Sequence, residues 1–146
     1  MEKLQFDSGI REYDLGTGGI LRFNPGDPNL YARFLEATVK VQDIEKELIA
    51  QAKNVQEADG GQGVVGLLQD ADKKMKALLR WVFGQENDFD RILGGINLLA
   101  VGANGKRVAA NLFAVLQPIL LEGAEACARE QAEKAVTRAK QRRNQA

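Results

Sequence analysis

The chain has no histidine, one cysteine, three prolines and one tryptophan in 146 residues, and aromatic residues make up only 6%. Each shortage excludes something. Without histidine, the commonest general base near neutral pH and the commonest metal ligand are both missing. A single cysteine, Cys127, rules out an intramolecular disulfide framework and fits a reducing compartment. Net charge is absent too. Lys plus Arg and Asp plus Glu number 20 each, so no overall field draws the chain toward nucleic acid or an anionic membrane. The longest apolar run, Ala109 to Leu121, is interrupted by Asn111, Gln117 and Pro118, which predicts a segment too short to cross a bilayer. The opening MEKLQFDSGIREYD lacks the apolar core of a signal peptide. A soluble, cytoplasmic protein is expected.

What remains is globular in composition: 45% hydrophobic and 27% charged, enough apolar material for one core in one domain. The charges are unevenly placed. Residues 1–60 carry 7 basic and 11 acidic side chains, residues 61–122 carry 7 and 6, and residues 123–146 carry 6 and 3. The basic end is small for a nucleic-acid footprint, because three surplus charges release few counterions. A solvated helix end explains it better.

Taken in order, Leu4, Phe6, Ile10, Tyr13 and Leu15 alternate loosely, then Gly16-Thr17-Gly18-Gly19 leads into Ile20-Leu21-Arg22-Phe23. Two short runs about a glycine-rich turn predict a β-hairpin that must lie against something larger. In Asn24-Pro25-Gly26-Asp27-Pro28, Asp27 is placed to cap a helix and Pro28 to begin it. Leu30, Phe34, Ala37, Val41, Ile44, Leu48, Ala52 and Val55 then form one apolar line, predicting a helix of roughly 30 residues with a Glu36–Lys40 pair on its wet face. Ala58 to Gly63 breaks it. A second helix is expected from Val64 to Val82, with Leu68, Ala71, Met75, Leu78 and Val82 inward and Asp70–Lys74 and Asp72–Lys76 dressing the other face. Gly84 ends it. Asn87 or Asp88 caps a short third helix containing Phe89, Ile92, Leu93 and Ile96, in which Gly94-Gly95 implies close backbone approach to a neighbour. After a turn at Ala103-Asn104-Gly105, a last helix begins near Lys106 and is expected to kink or split at Pro118. Beyond Glu122 the residues favour helix but include almost no large apolar side chain. The expected fold is mainly α: a short N-terminal hairpin and four or five helices in a domain over residues 1–122, with residues 123–146 a charged helical tail projecting from it.

No constellation for catalysis, cofactor or metal emerges. Gly61-Gln62-Gly63-Val64-Val65-Gly66 matches a dinucleotide-binding fingerprint, but a polar helix end precedes it where a strand is required, so an interhelical loop is expected. Gly102-Ala103-Asn104-Gly105-Lys106-Arg107 has the wrong glycine spacing for a phosphate loop and no Ser or Thr after the lysine. Glu86, Asp88 and Asp90 lack the further oxygen ligands of a calcium loop and suit helix capping instead. Cys127 has no adjacent base and is read as inert. The remaining candidate is a protein-binding patch of Trp81, Phe83, Phe89, Ile92, Leu93, Leu112, Phe113 and Leu116, since exposed aromatics anchor interfaces; core packing is the commoner use of such residues, and sequence alone does not separate the two. Leu112 and Phe113 are adjacent and point different ways, which leaves apolar surface on more than one side of their helix.

Two segments carry a family resemblance. Phe23-Asn24-Pro25-Gly26-Asp27-Pro28, leading from a hairpin into a long amphipathic helix, is one. The other is Phe83-Gly84, Asp88-Phe89-Asp90, Gly94-Gly95 and the apolar helix Leu112 to Leu120 with Pro118-Ile119. Together they touch most of the chain, which resembles the small tail assembly chaperones of tailed phages and prophages. The resemblance implies a non-enzymatic protein of the host bacterial cytoplasm. It would hold a tape-measure protein soluble until tail-tube subunits polymerise around it, and would be absent from the finished virion. The residues themselves suggest a homo-oligomer with no membrane, cofactor or nucleic-acid partner. A structural tail component retained in the virion, such as a completion or connector protein, is the alternative. A third is a regulatory adaptor whose basic C-terminal helix touches nucleic acid.

Overall fold

The computed structural model describes residues 1–55 and 61–145. Its order is β1 (Arg11–Asp14), β2 (Ile20–Phe23), α1 (Pro28–Ala52), α2 (Gln62–Phe83), α3 (Phe89–Ile92) and α4 (Val108–Gln145). The protein is mainly helical, with a short N-terminal antiparallel hairpin and four helices, the last one long. The break expected at Ala58-Asp59-Gly60 lies outside the described residues.

β1 and β2 pair in the register Arg11↔Phe23 to Asp14↔Ile20. Gly16 and Gly18 take φ of 77° and 90°, angles the connecting turn needs and that residues with a Cβ avoid. Alternation puts Leu21 and Phe23 on the core and Ile20 and Arg22 outside. The strand is shorter than the alternation of Leu4 and Phe6 predicts, and both side chains are almost wholly exposed. Asp7 Oδ1 accepts from the Gly9 amide, and Gly9 has φ 74°, so a local turn ends the extended run just before β1.

Asp27 caps α1 by accepting from the Asn29 amide, and Pro28 is its first residue. Leu30, Phe34, Ala37, Val41 and Leu48 form its buried line. The helix stops at Ala52, short of Val55, where the Asn54 and Val55 amides bond back three residues to Gln51 and Ala52. Arg33 reaches the Val82 carbonyl and Lys40 lies over the Trp81 ring, so the early part of α1 meets the late part of α2 and the two run antiparallel. α2 begins at Gln62, two residues before the expected Val64, so Gly63 is helical and the Gly61–Gly66 stretch is not an interhelical loop.

Gly94 and Gly95 also depart from expectation. With φ of 65° and 79° they terminate α3 instead of lying within a helix. The close approach inferred there is present: a Cβ on Gly94 would sit 3.2 Å from the Thr17 carbonyl, beside the hydrogen bond from Thr17 Oγ1 to the Ile92 carbonyl.

α4 runs back along α1. Arg107, Phe113 and Gly123 meet Glu45, Phe34 and Pro25 in turn. Pro118 neither ends nor splits this 38-residue helix. Pro118 and Ala114, whose carbonyl loses its bond, both lie on the exposed face, where that carbonyl is open to solvent. The helix also corrects the expectation that its apolar run is too short for a bilayer. One 18-residue window reaches mean hydropathy 1.2, sufficient by length and composition. Core helices meet the same condition, and the line Ala109, Leu112, Leu116 and Leu120 is buried here.

The helix touches the start of α1 through a glycine. A Cβ on Gly123 would stand 1.9 Å from the Pro25 carbonyl oxygen, while one on Gly66 would meet nothing within 4 Å. The same substitution should therefore act with opposite sign. Gly66→Ala is expected to stabilise by about 1 kcal/mol through helix propensity. Gly123→Ala must push α4 off the turn, at a cost of about 1–3 kcal/mol that outweighs that gain. Urea denaturation of both variants checks the pair.

Candidate functional site

The residues expected to form a binding patch are brought together, but mostly as core. Phe83, Phe89, Ile92, Leu93, Leu112 and Leu116 are all buried. Phe83 stands at the centre: its ring centroid lies 5.1 Å from Phe23, 5.6 Å from Phe89 and 6.5 Å from Phe34. Phe113 is half-buried, 5.3 Å from Phe34, so adjacent Leu112 and Phe113 both find α1 and the core, because an inward face on α4 is broad enough for both. Only Trp81 is exposed, at 39%, with Lys40 Nζ 4.9 Å from its ring centroid.

The polar centre of the molecule lies elsewhere. Asp72 and Lys76, expected on the wet face of α2, are buried. Lys76 Nζ is 2.8 Å from Asp72 Oδ2 and 2.7 Å from Asp90 Oδ1. Asp72 Oδ1 accepts from the buried Leu98 amide at 2.8 Å, and Asn97 ties the same segment to the Leu68 carbonyl. One lysine and one aspartate on α2 thus clamp both the start of α3 and the segment leading to α4. Burial by itself would lower the Lys76 pKa, but hydrogen bonds to Asp72 and Asp90, and their charges, outweigh it and hold the value above that of a free lysine. A cation so held is neither nucleophile nor base. Beside it, between α2 and α3, opens a cleft of about 670 Å³ with Lys73, Arg80, Asp88 and Phe89 on its walls.

No family model, curated protein or solved structure matches this chain.

Asn87 forms a second buried polar tie. Its Oδ1 accepts from the Arg22 amide at 3.0 Å, and its Nδ2 donates to the Arg22 and Phe83 carbonyls at 2.8 and 3.0 Å. A side-chain amide therefore pairs with β2 in place of a third strand. The cap of α3 is its neighbour Asp88, accepting from the Asp90 and Arg91 amides. Capping accounts for Asp88 and the lysine pair for Asp90, and no metal-binding group of three or more ligands occurs among the described residues.

The glycine segment before α4 is closed on itself. The Gly102 amide bonds the Lys106 carbonyl, the Gly105 amide the Gly102 carbonyl and the Lys106 amide Asn104 Oδ1. The Val108 and Ala109 amides at the head of α4 go to the Ala100 and Leu98 carbonyls. Those donors, which a phosphate loop would aim at an anion, are already used. The other fingerprint fails because Gly63 and Gly66 lie in α2. Cys127 is half-buried on the line of α4 that continues past Gly123.

Asp72 and Lys76 escaped notice because an i,i+4 pair of opposite charge reads as surface decoration. A signal existed: Phe83 lies on the same side of α2 as both, and a large aromatic there implies that this side is covered. The raised lysine pKa fixes the sign of a pH effect. A folded value above the unfolded one contributes stability that is whole below the ordinary lysine value, about 10.4, and is lost as pH rises through the higher folded value. Melting temperature should fall above that pH in the native chain and fall less in Lys76→Met, as scanning calorimetry in a buffer series would show.

Proposed function

We propose that this chain holds a long helical protein partner on exposed apolar helix surface, in the manner of the tail assembly chaperones it resembles. Besides its core line, α1 carries Leu35, Val39 and Ile49 on the outside, 44%, 58% and 51% exposed. That observation carries the reading. A helix that only needed to pack inward would place polar residues there, and each 100 Å² of apolar partner covered is worth about 2.5 kcal/mol before the costs of association. Trp81 adds a ring at the α1–α2 seam. The partner surface is thus drawn from α1 and Trp81, and not from the buried aromatic cluster.

Co-expression with a tape-measure protein from the same gene neighbourhood tests this. The partner's soluble fraction should rise severalfold, and Leu35→Asp with Val39→Asp should abolish the gain while leaving the melting temperature of this chain nearly unchanged, since both side chains face water. An unchanged soluble fraction overturns the proposal, and recovery of the protein from purified virions favours a structural tail role instead.

A further inference from the structure

Past Gly123 and Cys127, which still touch the rest of the fold, α4 runs clear of the core. Residues 128–145 are exposed on every side, yet the helix continues unbroken to Gln145. Its charges are segregated. Residues 122–133 carry Glu122, Glu125, Glu130 and Glu133 against Arg129 alone, while residues 134–145 carry Lys134, Arg138, Lys140, Arg142 and Arg143 with no acid. The helix dipole does not explain this order, because its influence is confined to the terminal turns. The acidic block lies in mid-helix, and Lys134 and Arg138 stand well before the last turn. On the face turned away from the core lie Leu121 and, two turns on, Ala128, Ala132, Ala135 and Ala139 at spacings of four and three, with Val136 beside them.

We infer that residues 122–145 of α4 pair antiparallel with the same segment of a second copy of this chain. Charge complementarity selects both occupant and direction. Antiparallel pairing lays a net −3 block on a net +5 block at both ends, whereas parallel pairing would set like on like. A two-fold axis between Glu133 and Lys134 places Ala128 opposite Ala139 of the second copy and Ala132 opposite its Ala135. It also brings Glu125 within reach of Arg142 and Arg143 of that copy. Alanine at the contact lets the two backbones approach closely, toward the ~8 Å end of helix spacings. The overlap of about 36 Å takes in all of residues 128–145, the part of the helix exposed on every side. This pairing stands apart from the chaperone reading and does not use Leu35 or Val39.

Sedimentation of the full chain at low salt should give twice the chain mass, falling toward the monomer as salt screens the exposed charges. Glu125→Lys with Glu130→Lys and Glu133→Lys makes a tail basic in both blocks apart from Glu122, and Arg138→Glu with Arg142→Glu and Arg143→Glu makes one with acid in both blocks. Each should sediment at half the native mass with an unchanged melting temperature, and an equimolar mixture should restore the dimer. In a Cys127→Ser background, Ala128→Cys mixed with Ala139→Cys should cross-link on mild oxidation, while Ala128→Cys alone should not. A native chain that is monomeric at low salt overturns the inference. So does failure of the charge-swapped pair to associate, cross-linking of Ala128→Cys with itself, or retention of nucleic acid or an acidic protein by a tail that never self-associates.

Discussion

Phe83→Ala should lower the stability of the fold by about 3–5 kcal/mol, the cost of removing a large aromatic from a packed interior. The magnitude follows from what the ring touches. Phe83 is 5% exposed and stands among Phe23 of the hairpin, Phe34 of α1 and Phe89 of α3. Its loss leaves a cavity that no single element can close, because its walls belong to three separate segments. Edge and tilted ring contacts add about 0.5–1.5 kcal/mol each beyond burial. Small domains have only about 5–15 kcal/mol in hand, so much of the chain's stability should vanish. Chemical denaturation of Phe83→Ala beside Phe113→Ala measures it. The half-buried Phe113 should cost distinctly less, and equal losses would refute the central place given to Phe83.

Lys76→Met should cost about 3 kcal/mol, at the lower end of the range for breaking a buried ion pair. The lower end applies because one partner, Asp90, keeps 70% of its side-chain surface in water. The loss arises mostly at Asp72, whose carboxylate stays buried with only the Leu98 amide to offset its charge. Asp72→Asn in the same chain should recover most of it, since an amide oxygen still accepts from Leu98 and no charge is stranded. A double-mutant cycle in urea reads the coupling. A double variant as unstable as the sum of the singles would show that the pair does not act as a unit.

The elements legible in the sequence are those whose signals are local. Asp27-Pro28 marked the start of α1, the glycines marked the hairpin turn, and the spacing from Leu30 to Leu48 marked the face that is buried. What was not legible depends on contacts across the chain. Nothing near Asp72 announces that residues 97–99 will need its oxygen, and nothing near Asn87 announces the backbone of Arg22. Pro118 does not split α4: it and Ala114 both lie on the exposed face, where a carbonyl left without its helical partner stays open to solvent. The sequence leaves the aromatic residues open between surface patch and core, because composition cannot distinguish an anchor from a core ring. Only three-dimensional packing settles that, and it put six of the eight inside.

The amide of Asn87 has an effect beyond fastening a turn. It occupies the flank of β2, so among the described residues the hairpin can accept a foreign strand only along β1. A ribbon with a single sticky side is self-limiting: two such ribbons that meet there leave no edge for a third. One carboxamide thus covers the β2 edge at Arg22, where an added strand would have to pair.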